Sequence, residues 1–212
     1  MVRNMDDITH ILKEAGAITE GHFIGTSGKH LSVYINKNKI LIHVALTSRL
    51  CEVLAKKVVD WNPDVIVAPA TGGIALSQWM AFHMSALLGR EVLSAYTESI
   101  DGIQSITKRG YDAVVKGKRV VVIEDVVNTG KSINGVVQAV QAVGGEVVGA
   151  VALINRNSTD TLIQELLGVP FHSLSLMPLD AYAENEVPEW LKKIPINTEL
   201  GHGAKYLKEY TQ

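Results

Sequence analysis

The chain is predicted to fold as an α/β protein, a mainly parallel sheet with helices on both faces. Apolar runs at residues 65–68 (VIVA), 120–123 (VVVI) and 147–154 lack the polar alternation of a half-exposed strand, as strands buried on both faces do. Segments of helical spacing separate these runs, and such strand-helix-strand crossovers are right-handed and leave the strands parallel. Composition agrees: 47% of residues are hydrophobic but only 6% aromatic, so Val, Ile, Leu and Ala must fill the core.

Taken in order, Ile8, Ile11, Leu12 and Ala15 form an i, i+3, i+4, i+7 stripe between Asp6-Asp7 and Gly16, which predicts an amphipathic helix. After a glycine-containing turn, residues 31–35 (LSVYI) read as a strand. Leu46, Leu50, Val53, Leu54 and Val58 share one side of a helix over 43–59, and Pro63 separates it from the strand at 65–68. A helix is expected at 74–88, a short strand at 91–95, a central strand at 119–123 and a helix at 132–143 closed by Gly144-Gly145. Strands at 147–154 and 171–176 complete the succession. One core suffices for 212 residues, so a single domain over 1–212 is expected. Residues 41–177 form its α/β core; the first forty residues and the tail at 178–212 are candidates for a small cap over the carboxyl edge of the sheet.

A formal charge of −2 gives no general attraction for nucleic acid or an anionic membrane, so an anion must be bound locally. The single cysteine, Cys51, rules out an internal disulfide, and its place in an apolar helical pattern reads as a buried thiol. Acids stand near the amino terminus where a signal peptide has its apolar core, and no apolar run approaches eighteen residues; a cytoplasmic protein is expected. The seven histidines show no transition-metal spacing, and His202, between Gly201 and Gly203, reads as part of a tail turn.

The stretch with most chemistry is residues 120–132, VVVIEDVVNTGKS. A central parallel strand ends here in two acids and a glycine loop that opens a helix, at the sheet edge where α/β proteins bind ligands. Glu124 and Asp125 are acceptors suited to vicinal hydroxyls. Thr129, Gly130, Lys131 and Ser132 offer backbone N–H groups, hydroxyls and a helix N-terminus to a phosphate. One loop could grip both ends of a ribose 5-phosphate. The nucleotide-hydrolase phosphate loop, G-x-x-x-x-G-K-S, is excluded because its first glycine would fall on Asp125. A second glycine loop, Pro69-Ala70-Thr71-Gly72-Gly73, follows the strand at 65–68 and could also admit an anion close to its backbone.

Residues 120–132 resemble the phosphoribosyl-pyrophosphate (PRPP) motif of type I phosphoribosyltransferases. That resemblance implies the type I phosphoribosyltransferase fold, with Glu124 and Asp125 on the ribose hydroxyls and Val126, Val127, Asn128, Thr129, Gly130, Lys131 and Ser132 running around the 5-phosphate. Lys131 departs from the family, where a small residue is commoner. Ala70, Thr71, Gly72 and Gly73 match the loop that binds pyrophosphate. Residues 25–37 (GTSGKHLSVYINK) resemble the entry segment of orotate phosphoribosyltransferases. The match implies that Lys29 reaches PRPP and the base, and that Tyr34, Ile35 and Thr129 lie against the base. Arg156, directly after the strand at 147–154, matches an arginine that would pair with the orotate carboxylate.

Those enzymes also carry a mobile basic lid after the strand matching residues 91–95. Here the text is Tyr96-Thr97-Glu98-Ser99-Ile100-Asp101-Gly102, without a basic residue, and positive charge arrives only at Lys108 and Arg109. Lys108, Arg109 and Asp125 are the catalytic candidates. The resemblance implies transfer of the phosphoribosyl group of PRPP to a base, orotate first, with Mg2+ carried by PRPP rather than by protein ligands, in a homodimer. The altered lid leaves open a purine base, or a PRPP-sensing regulator without turnover.

Overall fold

The computed structural model describes residues 5–25, 27–178 and 180–210. Helix α1 (Met5–Glu14) leads into strands β1 (Ile18–Ile24) and β2 (His30–Ile35), then helices α2 (Lys37–Leu41) and α3 (Val44–Lys57). The α/β succession follows: β3 (Val65–Pro69), α4 (Gly72–Leu88), β4 (Leu93–Ile100), β5 (Ile103–Ser105), α5 (Asp112–Val115), β6 (Arg119–Val127), α6 (Lys131–Ala142), β7 (Glu146–Asn155), α7 (Thr161–Leu167) and β8 (Phe171–Leu176). The tail contributes β9 (Ala181–Tyr182), α8 (Glu189–Lys192) and α9 (Gly203–Tyr210).

The central sheet has the order β5-β4-β3-β6-β7-β8, parallel throughout except for β5, which turns back antiparallel on β4. Its strands obey the period of two on both faces at once. Ile66, Val121, Ile123, Val151 and Leu153 bury against α1, α3 and α4, while Val65, Val67, Val120, Val122 and Ala150 bury against α6 and α7. This double covering explains the unbroken apolar runs in the sequence. From β3 the chain moves outward to β4 and then returns to the other side of β3 as β6, so the topology reverses between β3 and β6. A crevice opens outside the carboxyl ends of strands at such a switch.

The cap is a second sheet, β1-β2-β9, with β1 and β2 antiparallel and a bulge between Glu20 and Phe23. Strand β1 is absent from the sequence reading because its text, ITEGHFI, mixes polar and apolar residues and its bulge breaks the alternation. The tail is stitched onto this sheet by buried polar groups. His22 Nε2 hydrogen-bonds His30 Nδ1 at 2.6 Å, His22 Nδ1 meets the Ile194 carbonyl at 2.9 Å, and His30 Nε2 meets Glu184 at 3.0 Å and the Tyr206 hydroxyl at 3.2 Å. His202 donates its backbone N–H to the Ile24 carbonyl at 2.9 Å, within the expected turn. Among the described residues no helix is long and apolar enough to cross a membrane.

His30→Ala is expected to loosen the tail selectively, since it strands His22 Nε2 in a buried place, at a cost of about 1–3 kcal/mol. Limited trypsin digestion should then cut after Lys192 or Lys193 faster than in the unmodified protein, with the core fragment surviving. Identical cleavage kinetics would refute this account of the tail.

Candidate functional site

The acidic pair lies deeper than its sequence suggests. Strand β6 runs to Val127 instead of ending at Ile123, so Glu124 and Asp125 sit inside the ladder, with Glu124 opposite Ala152 on β7, and are 6% and 2% exposed. Val126 and Val127 are also strand residues, opposite Ile154 and Asn155, and Val127 is buried in the α6-side core. Their side chains are therefore held by the strand, and the glycine loop that follows spans residues 128–130 up to the start of α6.

Because successive strand residues face opposite ways, the two acids divide between the layers. Glu124 turns toward α6, where the Ser132 hydroxyl at the helix start favours its charged form. Asp125 turns toward α4 and the cap: its Oδ1 accepts the Val126 N–H at 2.7 Å, and Lys37 Nζ lies 3.2 Å from Oδ1 and 3.0 Å from Oδ2. Gly72 presses against this carboxylate so closely that a Cβ would stand 2.5 Å from Oδ2. Only glycine fits there. Burial first, and the Asp125 charge second, push the Glu124 carboxyl up to about 7.

The phosphate loop leaves β6 through Asn128 and Thr129, both exposed, and turns at Gly130, whose φ of 76° is in the left-handed region. A Cβ at Gly130 would meet Leu166 at 2.5 Å. Helix α6 then starts at Lys131, with Lys131 and Ser132 exposed at its first turn and their N–H groups among those an α-helix leaves unbonded. Across the crevice the pyrophosphate candidates Ala70, Thr71, Gly72 and Gly73 connect β3 to α4. The Ala70–Thr71 peptide is cis, and the Ala70 N–H is anchored to the Thr97 carbonyl at 2.8 Å. The two glycine loops thus flank one topological switch.

Arg156 follows β7 beside the phosphate loop, its N–H donating to the Val127 carbonyl at 2.8 Å. Its side chain is half-buried, its Nε is buried without a hydrogen-bond partner, and burial pulls the guanidinium pKa down from its usual value. Lys29 is exposed in the turn between β1 and β2. Tyr34 is half-buried, with its ring 5.5 Å from that of Phe23, and Ile35 packs against the α1-side core. The pair that would meet a base is thus partly engaged in the cap.

The segment expected as a loop-like lid is a hairpin. Strand β4 extends to Ile100, the turn Asp101-Gly102 reverses the chain, and β5 returns along it. Thr97 Oγ1 donates to Gln104 Oε1 at 2.6 Å, and Lys108 and Arg109 both pair with Glu98, at 3.1 and 2.8 Å. The acid that looked out of place in a basic lid is their counter-ion. A cleft of about 730 Å³ lies where the hairpin meets α6, lined by Gln104, Asn134, Thr129, Lys131 and Ser132.

Lys37 carries no role in the sequence reading. Its signal was faint: it closes the recognised entry segment, yet its partner Asp125 lies 88 residues away. Cys51 is buried, and burial raises its thiol to about 12, so it stays protonated. Among the described residues no cluster of three or more His, Cys, Asp or Glu could hold a metal ion.

Glu124 generates a pH prediction. Its folded value, about 7, exceeds the ordinary 4.5, so its contribution to stability is complete below pH 4.5, declines as pH rises and is gone above about pH 7. Glu124→Gln is expected to flatten that decline, measured as denaturation midpoints at pH 5 and pH 8. An equal decline in both proteins would place the titrating group elsewhere.

The phosphoribosyl transferase domain family matches residues 38–167. The orotate phosphoribosyltransferase of Bartonella tribocorum is 35% identical over 195 residues, 91% of this chain and 95% of its own; that of Brucella canis is also 35% identical over 195 residues. Among solved structures, orotate phosphoribosyltransferase of Mycobacterium tuberculosis with Fe(III) dicitrate superposes with a TM-score of 0.67 at 21% identity, covering 82% of this chain and 97% of that one. The Aeropyrum pernix orotate enzyme gives 0.60 at 24%, covering 80% and 94%. The solved structures share the fold, the curated relatives are matched almost end to end, and the chain belongs to the phosphoribosyltransferase family.

Proposed function

We propose that this enzyme transfers the 5-phosphoribosyl group of PRPP to orotate, giving orotidine 5-monophosphate and pyrophosphate for pyrimidine nucleotide synthesis. The observation that carries the choice of base is Arg156: a half-buried guanidinium beside the phosphate loop whose Nε has no partner is suited to a ligand carboxylate. In this reading the 5-phosphate takes the N–H groups of residues 128–132 at the start of α6. Pyrophosphate lies along residues 70–73, Asp125 and Glu124 engage the ribose hydroxyls, and Lys29, Tyr34, Ile35 and Thr129 bound the base. The C1–O bond to pyrophosphate breaks, the bonding pair leaves with pyrophosphate, and the base nitrogen forms the new bond to C1 as its proton passes to the departing pyrophosphate or to solvent. No side-chain nucleophile is required. The protein holds the sugar, neutralises the leaving group and excludes water.

Magnesium fits this arrangement as a passenger of PRPP. The oxygens of Asp125 and Glu124 are hard donors of the kind magnesium prefers and would face the ion carried in with PRPP, which would supply charge neutralisation to pyrophosphate. Lys108 and Arg109 supply the remainder once they exchange Glu98 for the leaving group. A cytoplasmic homodimer, the assembly and place that the resemblance and the amino-terminal text imply, completes the proposal. A second reading, a PRPP-binding regulator without turnover, is favoured by one observation: Lys108 and Arg109 are both already engaged by Glu98.

Pyrophosphate release with PRPP and Mg2+ in the presence of orotate, uracil, hypoxanthine or adenine tests the base. Orotate is expected to be preferred by at least about tenfold, the equivalent of ~1.4 kcal/mol, and Arg156→Ala should erode that preference. Equal use of uracil, or faster use of a purine, sinks the orotate reading. Lys108→Ala combined with Arg109→Ala is expected to lower kcat far more than it weakens base binding. Normal turnover in that double variant would remove both residues from the chemistry, and no turnover with any base in the unmodified protein would favour the regulator.

A further inference from the structure

We propose that Lys37 is the positioning residue of the ribose site: its ammonium fixes Asp125 and cancels its charge so that a polyanionic phosphoribosyl donor can approach. The inference deepens the function proposed above and rests on it. The Asp125 side chain is 3% exposed, whereas that of Lys37 is 47% exposed, so the carboxylate is buried and its cation stands at the mouth. Nζ straddles both oxygens, at 3.0 and 3.2 Å. The other two constraints on the carboxylate are backbone: the Val126 N–H on Oδ1 and the close approach of Gly72 to Oδ2. Of the three, only the lysine can move.

The lysine is itself held in reach. It opens α2, directly after β2, and the Asn36 N–H donates to the Ala17 carbonyl at 2.7 Å. Ile40 seats α2 in the α1-side core, and Thr47 Oγ1 donates to the Ile40 carbonyl at 2.9 Å. The cap is thereby wired to the central strand through one ion pair. A buried carboxylate left without its cation would repel the phosphates that must settle on either side of it. Glu124 and Ser132 carry no positive charge to replace that of the lysine, and Glu124 itself feels both the Asp125 and the Lys37 charges. A lysine whose side chain is 47% exposed can reach the mouth of the site and still stay on Asp125 when the donor's phosphates arrive.

The test measures PRPP affinity by calorimetry, without any base, and steady-state turnover, for Lys37→Met, Lys37→Arg, Asp125→Asn and the Lys37→Met/Asp125→Asn double variant. Lys37→Met is expected to weaken PRPP binding by about tenfold or more while kcat at saturating PRPP stays within about threefold, and Lys37→Arg to recover most of the loss. In the Asp125→Asn background Lys37→Met should change PRPP affinity by less than about twofold, because its action runs through that carboxylate. Unchanged affinity in Lys37→Met overturns the proposal, as does an equal loss in both backgrounds, which would mean direct contact with phosphate. If Lys37→Met does not fold, Lys37→Gln takes its place with the same expected outcomes. A protein that binds PRPP but ignores orotate fails the base reading alone; one that does not bind PRPP at all fails the functional reading and this proposal with it.

Discussion

Everything at the site hangs on a central strand buried from both sides. Strand β6 has neighbours on each edge and helices on each face, so each of its residues must belong to one layer or the other. Apolar residues satisfy that demand through Ile123. When the strand continues with Glu124 and Asp125, the same alternation sends one acid toward α6 and the other toward α4 and the cap, and each must find a partner in its own layer. Glu124, buried beside the Asp125 charge, shifts toward its neutral form; Asp125 pairs with the Lys37 ammonium. Two chemically similar residues, adjacent in the chain, are differentiated by which side of the sheet they face.

That division gives the crevice its layout. The α6 layer presents a helix N-terminus and a neutral-leaning carboxyl, suited to an anion. The α4 layer presents the second glycine loop and the Asp125–Lys37 pair, so the negative charge on that side is already cancelled by the cap. The stitching of β1, β2 and the tail through His22, His30 and Glu184 has a mechanical consequence here: it braces the strand from which Lys37 is launched. The cap is therefore part of the electrostatics of the site as well as a cover over it.

Legibility in the sequence followed the range of the interactions. Strands β3, β6, β7 and β8 and helices α3, α4 and α6 announced themselves through local composition and period, because burial on both faces writes an apolar run directly into the text. The glycine loops were legible for the same reason, as local backbone requirements after recognisable strands. Strand β1 was hidden by its bulge, and β9, two residues long, has no period to detect. The depth of the acids was misjudged because nothing local says that a strand ending in Glu-Asp continues through Val126-Val127. Lys37 and Glu98 were missed as partners because an ion pair across a fold leaves no mark on either neighbourhood.

The charges around the crevice explain why Glu98 belongs where a basic lid was expected. Exposed cations beside two glycine loops would be drawn to whatever anion came first, whereas a carboxylate between them holds Lys108 and Arg109 in a defined arrangement of reduced charge until a stronger partner arrives. Lys37 differs in staying on Asp125, whereas a polyanion can compete for Lys108 and Arg109, since a doubly charged phosphate group offers more acceptor oxygens than one carboxylate does. Arg156 differs from both. Its Nε is buried with no intramolecular acceptor, so no protein carboxylate must be displaced before a ligand can pair with it. A small carboxylated base is the ligand that best meets that condition, because its single charge is enough for a waiting guanidinium and too little to break the two pairs that surround it.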